Sequence, residues 1–257
     1  MDDSFTDIEV IVSIDFIRPT GIADFDPFKR AGFMLKISSM EAQNKDLLIE
    51  GAKAFGIDLN EKALEAFELY LEELLKWNRK INLTAIRSER GIVLKHYLDS
   101  LSVYPYLPER GFILDVGSGA GFPGIPLKIT QPTLEVALID SVRKKVDFQR
   151  HIIRILGLVG AKAIHGRIQD NRILQSLGGR FDMILSRAFS DLQTFLVLGF
   201  PFLKGGGTAI AMKGEVEPNE IRLSTGAEGI QYRLQKNIAL ILPFSSLKRT
   251  ILLFEKV

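Results

Sequence analysis

From about residue 38 to 105 the apolar positions recur at three- and four-residue spacing, which predicts helices. Leu47, Leu48, Ala52 and Phe55 make a first stripe that ends at Gly56, and Ser38 with Glu41 has the spacing of a capping box at its start. Leu64, Phe67, Leu71, Leu74 and Leu75 make a second, with Asp58 and Glu61 repeating that spacing. A third runs from a Ser88 cap through Val93, Tyr97, Leu98 and Leu101 to Pro105. After Gly111 short apolar runs alternate with helical segments. The predicted strands are 112–116, 134–139, 161–165, 181–186, 207–212, 234–242 and 250–255. Helical segments separate the first five, the pattern of βαβ units around a parallel sheet. Only Pro243 and a Ser245-Ser246 turn join the last two, which predicts an antiparallel pair.

Three units follow from this texture. Residues 1–39 mix short apolar stretches with Pro19, Gly21, Pro27 and Gly32 and sustain no period. They are expected to be an irregular extension, disordered or even untranslated. Residues 40–107 are expected to form a helical domain. Residues 108–257 carry seven strands, five of them parallel with a closing hairpin. That is an α/β fold of the Rossmann-like class I methyltransferase type.

Composition narrows the chemistry. The chain has no cysteine, so disulfides, thiolate-ligated metals and thiol nucleophiles are all excluded. The three histidines, His96, His151 and His165, are too scattered to predict a metal site. No apolar run approaches the length of a membrane helix, and Asp2, Asp3, Asp7 and Glu9 give the start the wrong charge for a secretory signal. A cytoplasmic protein with no membrane partner is expected, and with no conspicuous extra apolar face, a monomer. Net charge is only +2, but it is unevenly spread. Residues 76–95 hold six Lys/Arg against Glu89 alone, and residues 141–187 hold ten against Asp147, Asp170 and Asp182. Two basic segments in a balanced chain suit either a polyanionic partner or solvated helix faces.

The most specific segment is Leu114-Asp115-Val116-Gly117-Ser118-Gly119-Ala120-Gly121-Phe122-Pro123-Gly124. A strand here enters a glycine-rich turn that opens a helix. Gly117, Gly119 and Gly121 allow positive φ and close approach of backbone to a ligand. Residues 119–124 also match the G-x-G-x-x-G dinucleotide fingerprint in one register. Two features decide against a dinucleotide. In that register the first glycine falls three residues beyond the strand, and Asp115 sits at the strand end. A carboxylate there repels a pyrophosphate but attracts the cationic amino group and sulfonium of S-adenosylmethionine. Asp140 ends the second strand, where an acid can accept both ribose hydroxyls of either cofactor. Ile168 and Gln169 follow the third strand, at the turn that borders an adenine in this fold.

The stretches Trp77-Asn78-Arg79-Lys80-Ile81-Asn82-Leu83-Thr84, His96-Tyr97-Leu98-Asp99-Ser100, the glycine loop through Leu127, Ser186-Arg187-Ala188 and Lys213-Gly214 together resemble the RsmG (GidB) family. The resemblance spans about residues 46–257. It implies methyl transfer from S-adenosylmethionine to N7 of a guanine in bacterial small-subunit (16S) ribosomal RNA, on free RNA or on the small ribosomal subunit. It also implies that Gly117, Phe122, Asp140, Ile168, Gln169 and Arg187 line the cofactor site. The catalytic centre is then expected to include Arg187, Lys213 and Asn82, and the RNA surface Asn78, His96, Lys144, Lys145 and Arg249. Gln169 departs from the family, which commonly has Glu there; an amide can still bond an adenine edge.

The residues narrow the acceptor in the same direction. Methylation of pyrimidine C5 normally requires a cysteine. Methylation of an exocyclic amine commonly uses an Asn/Asp-Pro-Pro-aromatic turn, where this chain has Ser186-Arg187-Ala188-Phe189. Two rival readings stay open on sequence: a small-molecule methyltransferase on the same fold, and a ribosome-assembly factor that keeps the fold without catalysis. Asn78 and Asn82 also read as helix-end and loop residues, His96 as a structural histidine, and Trp77 as core.

Overall fold

A computed structural model describes residues 40–187, 189, 191–216 and 232–256; the predicted extension at 1–39 lies outside the described residues. The helical segment comprises α1 (Ala42–Lys53), α2 (Glu61–Ile81), α3 (Glu89–Ile92) and α4 (Asp99–Leu101), with a π-helical turn over Val93–Leu98 joining the last two. A 3-10 turn at Tyr104–Tyr106 leads into the sheet. There follow β1 (Gly111–Val116), α5 (Gly124–Thr130), β2 (Leu134–Asp140), α6 (Arg143–Ile155), β3 (Ala161–His165) and α7 (Asn171–Leu177). The chain continues through β4 (Phe181–Ser186), α8 (Leu192–Gly199), β5 (Leu203–Lys213), β6 (Tyr232–Ile241) and β7 (Lys248–Lys256).

The seven strands form one sheet in the order β3-β2-β1-β4-β5-β7-β6. The first five are parallel neighbours, while β7 runs antiparallel to both β5 and β6. Every predicted strand is present, and β5 begins four residues earlier than its apolar run suggests. Central strands are apolar on both faces because helices cover both. Alternate residues accordingly enter two cores. Ile113, Val136, Leu138, Met183, Leu185 and Ile210 pack toward one, together with Leu48, Phe67, Tyr70, Leu74, Tyr97 and Leu98 of the helical segment. Leu114, Val116, Ala137, Ile139 and Ile184 pack toward the other, with Ile173, Leu177, Phe195 and Leu196 of α7 and α8. The helices before β1 thus share a continuous core with the sheet. Among the described residues no helix is long and apolar enough to cross a membrane.

Three local expectations are corrected. The cap of α2 is Asn60, whose side chain accepts from Ala63 N at 2.9 Å, and not Asp58. Glu41 stands at the boundary of α1 instead of inside its first turn, and no side chain caps that helix; Ser38 lies outside the described residues. The Glu41 N–H instead donates to Glu89 Oε2 across 48 residues, so a tertiary partner replaces a local one. The third helix does start at a Ser88 cap, but it widens into the π turn and ends at Leu101. Ser100 and Ser102 hydroxyls donate to the His96 and Asp99 carbonyls at 2.5 and 2.6 Å, a back-bonding that competes with the helical ladder.

Candidate functional site

In an open α/β sheet, ligands settle beyond the C-terminal strand ends where the strand order reverses. Here that point lies between β1 and β4, with β2 beside it. The turn after β1 is held by Gly117 and Ser118 N–H groups donating to Ile139 O at 2.9 and 3.2 Å. Gly121 has φ +99°, and a Cβ there would approach the Tyr70 hydroxyl to 2.9 Å. The same hydroxyl donates to Ala120 O at 2.5 Å. Gly124 lies so close that a Cβ would sit 2.9 Å from Asp115 Oδ2, which accepts the Gly124 N–H at 2.8 Å. From below, Gln149 of α6 donates to Ser118 Oγ and Gly119 O at 2.8 and 2.7 Å. The loop is therefore preorganised on three sides.

A crevice of about 310 Å³ opens over this turn, lined by Gly117, Asp140, Ser141, Ile168, Gln169 and Phe189 among others. Asp140 caps β2, with Oδ2 accepting the Gly119 N–H and Oδ1 the Val142 N–H, both at 2.8 Å. Those bonds fix the carboxylate at the crevice wall, and each oxygen keeps a second lone pair for a hydroxyl. A smaller recess of about 150 Å³ adjoins it through Gly117, lined by Thr84, His96, Phe122, Lys145 and Arg187. Phe122, expected beside the cofactor, belongs to this recess. Its ring stacks on His96, centroids 4.5 Å apart and planes 12° from parallel, and the Arg187 guanidinium lies 5.3 Å from its centroid.

Asp115 does not line either space. It is fully buried under the loop, with Oδ1 lacking any partner. Burial pushes its carboxyl up to about 7, against the Gly124 N–H and Arg187, which hold it down. An orphaned buried carboxylate oxygen beneath the loop fits a cationic ligand above it and opposes an anionic one.

Arg187 follows β4 and is the hub of the recess. Its Nη2 donates to His96 Nδ1 at 3.1 Å, and its Nη1 to Lys95 O at 3.1 Å and, more distantly, Asp99 Oδ2 at 3.5 Å. Because His96 Nδ1 accepts, the ring proton sits on Nε2 and donates to Thr84 Oγ1 at 2.7 Å. Burial, and then the Arg187 charge, hold the imidazole at about 3, so it is neutral. Burial lowers the Arg187 guanidinium, and Asp99 opposes that shift.

Other expected residues fall elsewhere. Asn78 is buried, and its amide pairs at both ends with the Thr84 backbone, each at 2.9 Å. It braces the loop after α2 and offers no open polar surface. Asn82 ends α2 in the left-handed conformation, φ 43°, a helix-terminating position. Arg249 reaches inward, donating from Nε to Asp99 Oδ1 at 2.8 Å and from Nη2 to Oδ2 at 3.3 Å. Asn78 and Arg249, both expected on the RNA surface, are thus internal braces, because each has a close partner that the linear pattern hides. Lys144 is exposed and Lys145 half-buried at the recess, at the start of α6. Lys213 ends β5, opposite Thr250. Trp77 packs on Phe148 and His151 and donates to Glu73 at 3.1 Å. Asp99, Thr84 and Gln149 complete the arrangement without having been singled out by sequence. Asp99 and Thr84 did carry a signal, since both lie in the stretches that resemble the family, and Asp99 is an acid in an otherwise apolar helical stripe.

The comparisons with known proteins identify the family and the fold. A family model described as rRNA small subunit methyltransferase G matches residues 63–245. A Geobacter metallireducens protein named ribosomal RNA small subunit methyltransferase G is 43% identical over 218 residues, covering 84% of this chain and 98% of its own. Its Acetivibrio thermocellus namesake is 38% identical over 221 residues, covering 84% and 90%. Among solved structures, M. jannaschii TYW2 in complex with AdoMet aligns with a TM-score of 0.51 at 16% identity, over 67% of this chain and 80% of that one. That last likeness is one of fold.

Proposed function

Since the chain belongs to the rRNA small subunit methyltransferase G family, we propose that it transfers a methyl group from S-adenosylmethionine to N7 of a guanine in bacterial small-subunit (16S) ribosomal RNA. The observation that carries the acceptor assignment is a site rich in positioning groups whose imidazole is already engaged. His96 is neutral, with Nδ1 accepting from Arg187 and Nε2–H donating to Thr84. Guanine N7 has a free lone pair and loses no proton when it is methylated, so the reaction requires alignment and desolvation and no general base.

Bound in the larger crevice, S-adenosylmethionine supplies an electrophilic methyl group on a sulfonium. Asp140 is suited to its ribose hydroxyls, and Ile168 and Gln169 to its adenine. Asp115, unpaired at Oδ1, contributes negative potential beneath its cationic end. The Phe122–His96 stack and Arg187 then hold the turned-out base in the recess. Methylation leaves the base cationic, so a guanidinium against N7 would oppose it. Arg187 therefore orients, through O6 or a phosphate, and does not contact N7. Lys144, Lys145 and Lys213 supply cations for the RNA backbone. Asn82 contributes by ending α2 just before Leu83 and Thr84, which line the recess. We take the protein to act as a monomer in the cytoplasm, the compartment of its RNA, on free 16S RNA or the small ribosomal subunit.

Labelled cofactor incubated with the protein and small-subunit RNA or particles should yield 7-methylguanosine on digestion and mass spectrometry, with large-subunit RNA left unmodified. A different methylated nucleoside as main product would remove the N7 assignment. Failure of any methyl transfer would favour the assembly-factor reading.

A further inference from the structure

The β6–β7 hairpin carries a feature that the cofactor and base sites do not use. Ile241 pairs with Lys248 and Lys213 with Thr250, so the hairpin tip projects past the C-terminal end of β5. That is the rim on which β1, β2 and β4 present Val116, Asp140 and Ser186. The tip is rigid. Leu242 N donates to Leu247 O at 2.9 Å, Ser245 Oγ to Leu242 O at 2.9 Å, and Leu247 N to Ser245 Oγ at 3.2 Å. Leu242 itself is fully buried, anchoring the turn.

On this anchored turn stands Phe244, with φ 58° and 57% exposed. A left-handed backbone is unfavourable for a bulky residue, and glycine or asparagine would relieve it. A solvated phenyl ring is unfavourable as well. Of the five large hydrophobic residues exposed among those described, Phe244 is the one aromatic, and Ile241 of the same hairpin is another, 62% exposed. Strain and exposed apolar surface coincide at one position of a fixed turn, which is the mark of a residue kept for contact.

The hairpin is also locked in register with the recess. Arg249 of β7 bonds Asp99, and Asp99 reaches Arg187. Lys248, exposed at the base of the tip, pairs at the surface with Glu215, while Arg249 is taken up by Asp99. An exposed flat ring with a solvated lysine on the same hairpin suits a nucleobase, whose face stacks while a phosphate meets the charge.

Resting on the RNA reading above, we propose that Phe244 is a stacking platform for an unpaired base flanking the target guanine, which fixes the RNA strand relative to Arg187. Unpaired bases on aromatic side chains are the usual means of reading structured RNA.

The test compares Phe244→Ala, Phe244→Gly and Phe244→Trp in the full chain. Affinity for deproteinised small-subunit RNA is read by fluorescence anisotropy, and methyl transfer is followed at varied RNA. Loss of one stacked base should weaken RNA affinity and raise KM about tenfold, with kcat at saturating RNA within about twofold of wild type. Phe244→Trp should bind as wild type does. Phe244→Gly relaxes the backbone, so it should melt no lower than wild type while binding RNA as poorly as Phe244→Ala, which separates contact from folding. Wild-type affinity and KM in both small variants would overturn the proposal. So would a defect seen only on particles that carry ribosomal proteins, since that would make Phe244 a protein contact. If wild-type protein neither binds nor methylates RNA, the functional reading fails instead.

Discussion

Asp99→Asn tests whether Arg187 must be held to act. The Asp99 carboxylate is 3% exposed and meets two guanidinium groups, Arg249 at 2.8 and 3.3 Å and Arg187 at 3.5 Å. Asparagine preserves the shape, removes the charge and turns one acceptor into a donor aimed at a cation. The 2.8 Å bond is the well-formed one and, as a hydrogen bond between charged groups, contributes about 1.5–3 kcal/mol. Breaking a fully buried ion pair costs about 3–5 kcal/mol. Here Arg187 keeps Lys95 O and His96 Nδ1, Arg249 keeps Lys248 O, and each arginine side chain is 21% exposed, so the cost is relieved. A loss of about 2–3 kcal/mol is expected, a fall in Tm of roughly 4–12 °C for a chain of this size. The rate should suffer separately. A displacement of about 1 Å in a positioning group costs on the order of 100-fold, so single-turnover methyl transfer at saturating RNA should slow by about 10–100-fold. Calorimetric affinity for S-adenosylmethionine should stay within about twofold, because the larger crevice includes neither Asp99 nor Arg187. The assay is run well below the melting point of the variant. A variant that melts lower yet keeps the wild-type single-turnover rate would show that Asp99 is merely a buried partner and that Arg187 needs no anchor.

Two further outcomes are expected. Burial raises the Asp115 carboxyl to about 7, above the ordinary carboxylate value of about 3.9, so the folded state holds that proton more tightly than the unfolded chain. Its contribution to stability is complete below about pH 4 and is lost as pH rises through 7. Asp115→Asn should therefore gain on wild type as pH rises from about 4 to 7 and level off above that, by up to roughly 1 kcal/mol per pH unit within the window in urea melts without ligand; a gap independent of pH would contradict this. Replacing Lys144 and Lys145 by alanine should weaken RNA binding and make its salt dependence shallower, by about one unit of slope for each phosphate that is no longer neutralised. An unchanged salt slope would remove both lysines from the RNA surface.

The pattern of apolar positions was sufficient for the sheet. Buried parallel strands read as short apolar runs between helices, and that constraint acts residue by residue along the chain. The glycine turn was equally legible, since Gly117, Gly119 and Gly121 all take positive φ, which a sequence announces by placing glycine there. Asp140 could be assigned to the crevice because it ends a strand, and Ile168 and Gln169 because they lie in the turn after one; the parallel topology sends the C-terminal ends of β1 to β5 to one rim. What the linear chain could not reveal is which polar groups consume one another. Asn78 turns its amide to Thr84, six residues away; Arg249 reaches Asp99 across 150 residues, and Arg187 reaches it across 88. Asp58 and Asn60 are both chemically able to cap α2, and the fold decides for Asn60 by where the chain turns. Local structure follows from backbone sterics and periodic burial, which are properties of neighbours in sequence. The state of a polar side chain follows from the partner that meets it in a low-dielectric interior, and only the packing of helices against the sheet brings that partner within reach.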